Sequence, residues 1–334
     1  MRRLPTARIA DFDVRSLPRG DKATGRLEVA GRPDGGNWEL PLLYVTGVDT
    51  GPTLLVLGGV HGNEYEGVEA IPRIFAATEP ESLRGNLIML AVCNMPAYEA
   101  GTRNSPIDGQ NLARVFPGDP KGTISLRIAH WIDQRFIAPA DLLIDLHSGG
   151  PETDIPTMIG YQHSDDDLGR AAEAAARAFG APVLWGHPPD PTIHGRTCNS
   201  AGDYGVPWLY TETSGGGRAD ADALACYTDG VFNVMRHLGM LDGQPQPRSM
   251  THHLLGNGNL DEILSVSTAG FFRAEVALLD QVEEGQTIGT VRDLFGVAVE
   301  TVTADRSGVV ILLRRSPTVS TGTNVANITD KLPR

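Results

Sequence analysis

Cysteine is scarce in this chain. Cys93, Cys198 and Cys226 are the only three, and they lie far apart. They form no CxxC pair and no even disulfide framework, so a disulfide-stapled scaffold is excluded and a reduced, cytoplasmic setting is expected. Long hydrophobic runs are also missing. No stretch approaches the ~20 apolar residues that cross a bilayer, so no membrane partner is expected. The start, "MRRLPTARIADFDV", has two arginines but no apolar segment behind them, which argues against a secretory signal. Positive charge is in short supply: 28 Lys and Arg stand against 41 Asp and Glu, a formal net charge of −13. No run of basic residues offsets it. Such a chain repels phosphate backbones, so nucleic acid is set aside as a partner.

What is present is an ordinary globular composition, 41% apolar over 334 residues, enough for one large domain or two smaller ones. "GRLEVAGRPDGGNWELPLLYVTG" reads as two strands around a Gly-rich turn. After it, "TLLVLGGV" (53–60), "NLIMLAV" (86–92) and "DLLIDLH" (141–147) are short apolar runs without alternation, and "VPWLYTET" (206–213) is similar. Runs of this kind suit strands covered on both faces, as in a parallel sheet. Helical periodicity lies between them. "NEYEGVEAIPRIFAA" has Asn63 as a candidate cap, and "SLRIAHWIDQRFI" (125–137) follows further on. "DDDLGRAAEAAARAFG" opens on three aspartates and closes on Gly180, and "ADALACYTDGVFNVMRHLG" completes the set. Alternating strand and helix predicts an α/β domain with a mostly parallel sheet flanked by helices.

Near residue 245 the helical period stops. "GQPQPRSMTHH" reads as a polar linker, with His252 and His253 in it and no metal role expected for them. Beyond it the strand–turn–strand patterns share a weak repeat. Val282-x-x-Gly285-x-x-Ile288 matches Val319-x-x-Gly322-x-x-Val325, each glycine suiting the positive φ of a hairpin turn. The expected division is a catalytic domain over 1–248 and a smaller all-β, sandwich- or barrel-like domain over 249–334.

In open α/β sheets ligands sit beyond the carboxyl ends of the strands. His61 lies just past "TLLVLGGV", His147 ends "DLLIDLH", and Glu212 ends the run near 210. Three strands therefore bring two imidazoles and a carboxylate to one edge, with Glu64 close to His61. Taken singly, a histidine at a strand end is more often structural than a ligand, and a glutamate in a first helical turn is usually a dipole-favoured surface residue. Convergence weakens those readings, because two His and one Glu with an open position is the ligand set of catalytic zinc hydrolases. Asp145, two residues before His147, either orients a ligand or is a simple hydrogen-bonded strand residue.

The ordered set "GGVHGNEYEG", "AGTRNSPIDGQNLARVFPG", "DLLIDLHSGG" and "TETSGGG" resembles the succinylglutamate desuccinylase/aspartoacylase family, relatives of the zinc carboxypeptidases, over roughly residues 53–240. Within it, chain length and the barrel-like tail look closest to bacterial N-acetyl-diaminobutyrate deacetylases. The resemblance implies a zinc carboxypeptidase-like fold and one Zn2+ per chain on His61, Glu64 and His147. It implies that Glu212 moves the proton from water to the leaving amine, that Arg103 stabilises the carbonyl oxyanion, and that Arg114 grips a substrate carboxylate. The physics suits each role: guanidinium and metal both favour a developing oxyanion, and a planar guanidinium holds a carboxylate bidentately.

One position departs from the family pattern. The residue before Arg114, usually Asn, is Ala113, and Asn111 is the nearby candidate to replace it at the substrate. The long loop 186–205 offers His194 and Arg196 either to the substrate pocket or to solvent. The expected activity is zinc-dependent deacylation of a small N-acylated amino acid or related compound. A carboxypeptidase acting on peptides is the alternative. A carrier role for the tail is disfavoured, since its central turn, "VTADRSGVV", has no lysine to modify. The tail is expected to narrow the pocket or to build a homo-oligomer interface.

Overall fold

The computed structural model describes residues 2–256 and 263–332. A large mixed sheet is its frame. The main strands in chain order are β1 (Lys22–Gly31), β2 (Asn37–Thr46), β3 (Asp49–Gly58), β4 (Arg84–Leu90), β5 (Leu142–Leu146), β6 (Met158–Gln162), β7 (Val183–His187), β8 (Trp208–Glu212) and β9 (His252–Leu255). Across the sheet they run β1-β2-β4-β3-β5-β8-β6-β7-β9. The centre, β4-β3-β5-β8, is parallel. β1, β2 and β4 are joined antiparallel, and β6 runs antiparallel to β8.

The helices are α1 (Glu66–Ala77), α2 (Met95–Ala100), α3 (Ile124–Ile132), α4 (Asp167–Phe179), α5 (Thr197–Asp203) and α6 (Ala221–His237). α1, α4 and α6 cover one face of the sheet. There Ile71, Ile74, Ala172, Phe179, Tyr227 and Val231 pack on Leu54, Val56, Ile144 and Leu209. α3, its π-helical continuation Asp133–Ile137 and α5 cover the other face, against Leu55, Leu57 and Leu143. Both faces being covered explains why the central strands do not alternate in sequence. α4 starts and stops where the sequence predicts: the Asp166 side chain accepts from Gly169 N, and Gly180 closes the helix at φ 83°.

α1 differs from expectation. It starts at Glu66 behind Tyr65, with no side-chain cap, so Asn63 is not its N-cap. Residues 61–64 are instead bent into a turn that the site uses. Likewise, residues Thr197–Asp203 of the expected loop 186–205 form the helix α5, and His252 and His253 open the strand β9, which pairs parallel with β7.

In the tail, β10 (Gly270–Ala274), β11 (Thr287–Arg292) and β12 (Ala298–Thr303) form a small antiparallel sheet with Thr318–Val319. β13 (Gly308–Arg314) and β14 (Asn324–Lys331) pair with each other, and β14 continues the main sheet through β9. Gly285 and Gly322 both have φ 82°. The turns they sit in are not hairpins. Val282 pairs with β13, but the chain beyond Gly285 joins the small sheet. Val319 lies in the small sheet, but the chain beyond Gly322 becomes β14. Each glycine therefore passes the chain between sheets, and Val282, Ile288, Val319 and Val325 fill the core between them. Among the described residues no helix is long and apolar enough to cross a membrane.

Candidate active site

The register of the parallel centre aligns Gly58, Leu146 and Thr211 in one row across β3, β5 and β8. The chain therefore leaves the sheet at the same level on three neighbouring strands, which is where His61, His147 and Glu212 follow. The turn at residues 61–64, closed by Glu64 N–H donating to His61 O (3.4 Å), brings Glu64 back over the row.

His61, Glu64 and His147 are all buried, and their ligand atoms lie within 4.8 Å of one another. His61 Nδ1 is 2.8 Å from Glu64 Oε1, and His147 Nδ1 is 2.9 Å from Glu64 Oε2. The other ring nitrogens are engaged elsewhere. Asn111 Oδ1 accepts from the Ala113 N–H (2.9 Å), so it is the oxygen, and it must also accept at 3.0 Å from His61 Nε2. His147 Nε2 faces Asp145 Oδ2 at 3.0 Å. In the neutral imidazoles both Nε2 atoms therefore carry the hydrogen, and both Nδ1 lone pairs are turned on the two oxygens of one carboxylate. Acceptors facing acceptors in a buried place call for a cation between them. Two neutral imidazoles and a carboxylate form a donor set that fits zinc, with partners on the far nitrogens as metal-bound histidines require.

For His61 the electrostatics agree. Burial lowers the His61 pKa to about 4, outweighing the pull of Glu64. Glu64 is opposed by burial, yet His61 and His147 hold its carboxyl well below the usual range. For His147 burial again opposes charge, but Asp145 and Glu64 raise its proton affinity well above that of a free imidazole. A cation at the same point competes with that proton for the same lone pair.

Glu212, last residue of β8, lines the cleft with one buried oxygen lacking a protein partner. Burial, then the charge of Glu64, pushes its carboxyl up to about 8. Such a group can take and give a proton near neutral pH. Arg103 is half-exposed at the mouth and donates from Nη1 to Glu64 Oε1 (2.9 Å). Arg114 lines the same cleft and donates to the Ala113 carbonyl (2.8 Å). Arg196, buried at the start of α5, forms another part of the wall.

The cleft is roughly 790 Å³ and brings together His61, Asn111, Arg103, Arg114, His147, Arg196 and Glu212. His194 is exposed and is not among its lining residues. Asn111 does line it, but its oxygen is already taken by His61 and the Ala113 N–H. Asn111 is thus placed to hold the ring of His61, one of the candidate metal ligands. Asp145 faces His147 in the same way, and its Oδ2 also accepts from Thr197 Oγ1 at 2.6 Å. Thr197, the Ser148 N–H donating to Glu64 Oε2 (3.1 Å) and the Tyr227 hydroxyl donating to His147 O (2.5 Å) were not legible in the sequence. Each acts across more than fifty residues of chain.

Fold and site together are those of an amide hydrolase. Residues 50–238 match the succinylglutamate desuccinylase/aspartoacylase catalytic domain, and the chain belongs to that family. It is 32% identical over 333 residues to the N-alpha-acetyl-L-2,4-diaminobutyric acid deacetylase of Halomonas elongata, covering 98% of this chain and 95% of that protein. A succinylglutamate desuccinylase/aspartoacylase from Rhodobacter sphaeroides has the same fold, with a TM-score of 0.86 at 30% identity over 97% of this chain and 98% of that one. The product-bound ectoine utilization protein EutE (DoeB) of Ruegeria pomeroyi also gives 0.86, at 31% identity over 94% and 97%. The protein is thus an enzyme of a deacylase family, a hydrolase of a non-peptide amide bond.

Proposed function

We propose that the chain is a zinc-dependent deacylase that cleaves a small N-acylated amino acid to a carboxylate and a free amine. The observation that carries this reading is the facing of two imidazole Nδ1 atoms onto the two oxygens of Glu64, with both Nε2 atoms held elsewhere. His61, Glu64 and His147 would hold one ion per chain, which supplies Lewis-acid polarisation of water and of the acyl carbonyl. Glu212 takes the proton from water and returns it to the departing amine, a task its raised pKa suits. Arg103 stabilises the negative charge that develops on the carbonyl oxygen. Arg114, with Arg196 on the wall, holds the substrate carboxylate through a planar fork.

Similarity to the Halomonas enzyme along nearly the whole chain supports an N-acetylated diamino acid as substrate. We assign the chemistry to residues 1–248 and the covering of the cleft to 249–334. Leu312, Arg314 and Asn324 of the tail reach the cleft wall, which favours small substrates over peptides. The three free cysteines support a reducing, cytoplasmic setting.

The test is a screen of purified protein against N-acetyl, N-succinyl and N-formyl amino acids and short peptides, with and without a chelator. Turnover of one N-acyl class, abolished by the chelator and restored by zinc, is expected. Turnover of peptides alone, or activity indifferent to the chelator, would overturn the proposal.

A further inference from the structure

Two short segments carry the chain away from the proposed catalytic groups. Residues 148–154 follow His147, and residues 213–217 follow Glu212. They are joined by the Gly149 N–H donating to Thr213 O and the Gly216 N–H donating to Gly150 O, both at 2.8 Å. The Thr157 and Thr213 hydroxyls add a contact of 2.9 Å. Gly215, Gly216 and Gly217 all have positive φ, so residues 215–217 run outside any helix or strand ladder.

One side chain from the tail binds both segments. Arg315, just beyond β13, donates from Nη2 to Asp154 Oδ1 (2.6 Å) and to Ser214 O (2.8 Å). Gly216 makes room for it, since a Cβ there would lie 2.1 Å from Arg315 Nη1. The docking of the tail has its own supports. β13 pairs with residues 153–154, Arg314 bonds Glu152 at 2.8 Å, and β14 pairs with β9. The bond from Arg315 to Ser214 O therefore does something those contacts do not. It reaches the backbone two residues beyond Glu212 and ties it to the segment that follows His147.

We propose that Arg315 is a positioning residue, through which the docked tail fixes Glu212 relative to the His61–Glu64–His147 cluster. This rests on the assignment of Glu212 as the proton carrier. Misplacing such a group by about 1 Å costs on the order of 100-fold in rate. Both bonds leave Nη2 of a rigid planar group, and a lysine ammonium, a single nitrogen on a more flexible stem, would make them with less order.

The test compares Arg315→Ala, Arg315→Lys and Glu212→Gln in one assay, with metal content and peptide-level hydrogen exchange measured on each. For Arg315→Ala, kcat is expected to fall about 10- to 100-fold, with KM and metal content unchanged. Exchange should quicken in 148–154 and 213–217 but not in 308–314, and Arg315→Lys should recover part of the rate. A kcat for Arg315→Ala near the parent's, while Glu212→Gln is inactive, overturns the positioning role alone. So does a loss of rate that only tracks lost metal or lost fold. Full turnover by Glu212→Gln would instead overturn the assignment of Glu212 itself.

Discussion

The two faces of the central sheet are both apolar, yet only one of them opens into the cleft at the carboxyl ends of the strands. On β5, Leu142, Ile144 and Leu146 enter the apolar core under α1, α4 and α6. Leu143 and Asp145, and His147 one step beyond, face the cleft side, where His147 and Asp145 meet at 3.0 Å. On β8, Leu209 belongs to the first face, while Trp208, Tyr210 and Glu212 belong to the second. The period of two in a strand thus sends alternate residues into two apolar cores, and only toward the carboxyl ends do Asp145, His147 and Glu212 turn the second side polar. Buried charges tend to shift or relax. Fixing them takes partners on their own side and an unyielding apolar layer behind.

The largest effects are expected at the cleft end of the second face. Glu212→Gln keeps the shape and removes the proposed proton carrier, so kcat should fall on the order of 10²- to 10⁴-fold with the melting temperature little changed. Steady-state kinetics beside a thermal melt checks this. Asp145→Asn leaves the proposed ligands in place but weakens the hold on His147 Nε2. Metal affinity, read by competition with a chromogenic chelator, should drop about 10- to 100-fold. On the opposite face, Ile144→Ala should cost about 2–5 kcal/mol of stability in a denaturant titration, while the folded fraction keeps its turnover.

The smallest effect sharpens the contrast between buried histidines. His187, on β7, is as buried as His61 and His147, but its Nε2 meets the Tyr210 hydroxyl at 2.8 Å rather than a carboxylate. Burial, then the positive Arg196, lowers its pKa to about 3. The unfolded chain protonates this group near 6.5, so between those values the unfolded state holds the extra proton. Its contribution is complete above pH 6.5 and is lost as the pH falls, reaching about 2 kcal/mol of lost stability at pH 5. His187→Gln should flatten that part of the stability–pH curve, measured by urea unfolding between pH 7 and 5. A curve as steep as the parent's would refute the assignment.

Much of the site could be read before any fold was known, because strands β3, β5 and β8 are apolar without alternation and each is followed by a residue with metal or proton chemistry. Other features could not be read. β6 and β7 are short buried runs whose place between β8 and β9 depends on pairing with distant chain. Asn63 has a capping side chain, but the turn that presents Glu64 to both histidines displaces the helix start. Asn111 lines the cleft as expected, but the contact of its oxygen with His61 could not be read from the sequence. The Gly285 and Gly322 turns have the glycine of a hairpin, yet whether the next strand returns or crosses depends on which sheet offers it a partner.

The sequence by itself determined the α/β class, the all-β character of the tail and the types of residue able to bind a metal and move a proton. These follow from local periodicity and side-chain chemistry. Only the tertiary structure decided which nitrogen of each histidine faces Glu64, that Glu64 presents one oxygen to each, and that an arginine from the tail bonds the segment beyond Glu212. Those are facts of angle and distance between residues far apart in the chain, and no local pattern encodes them.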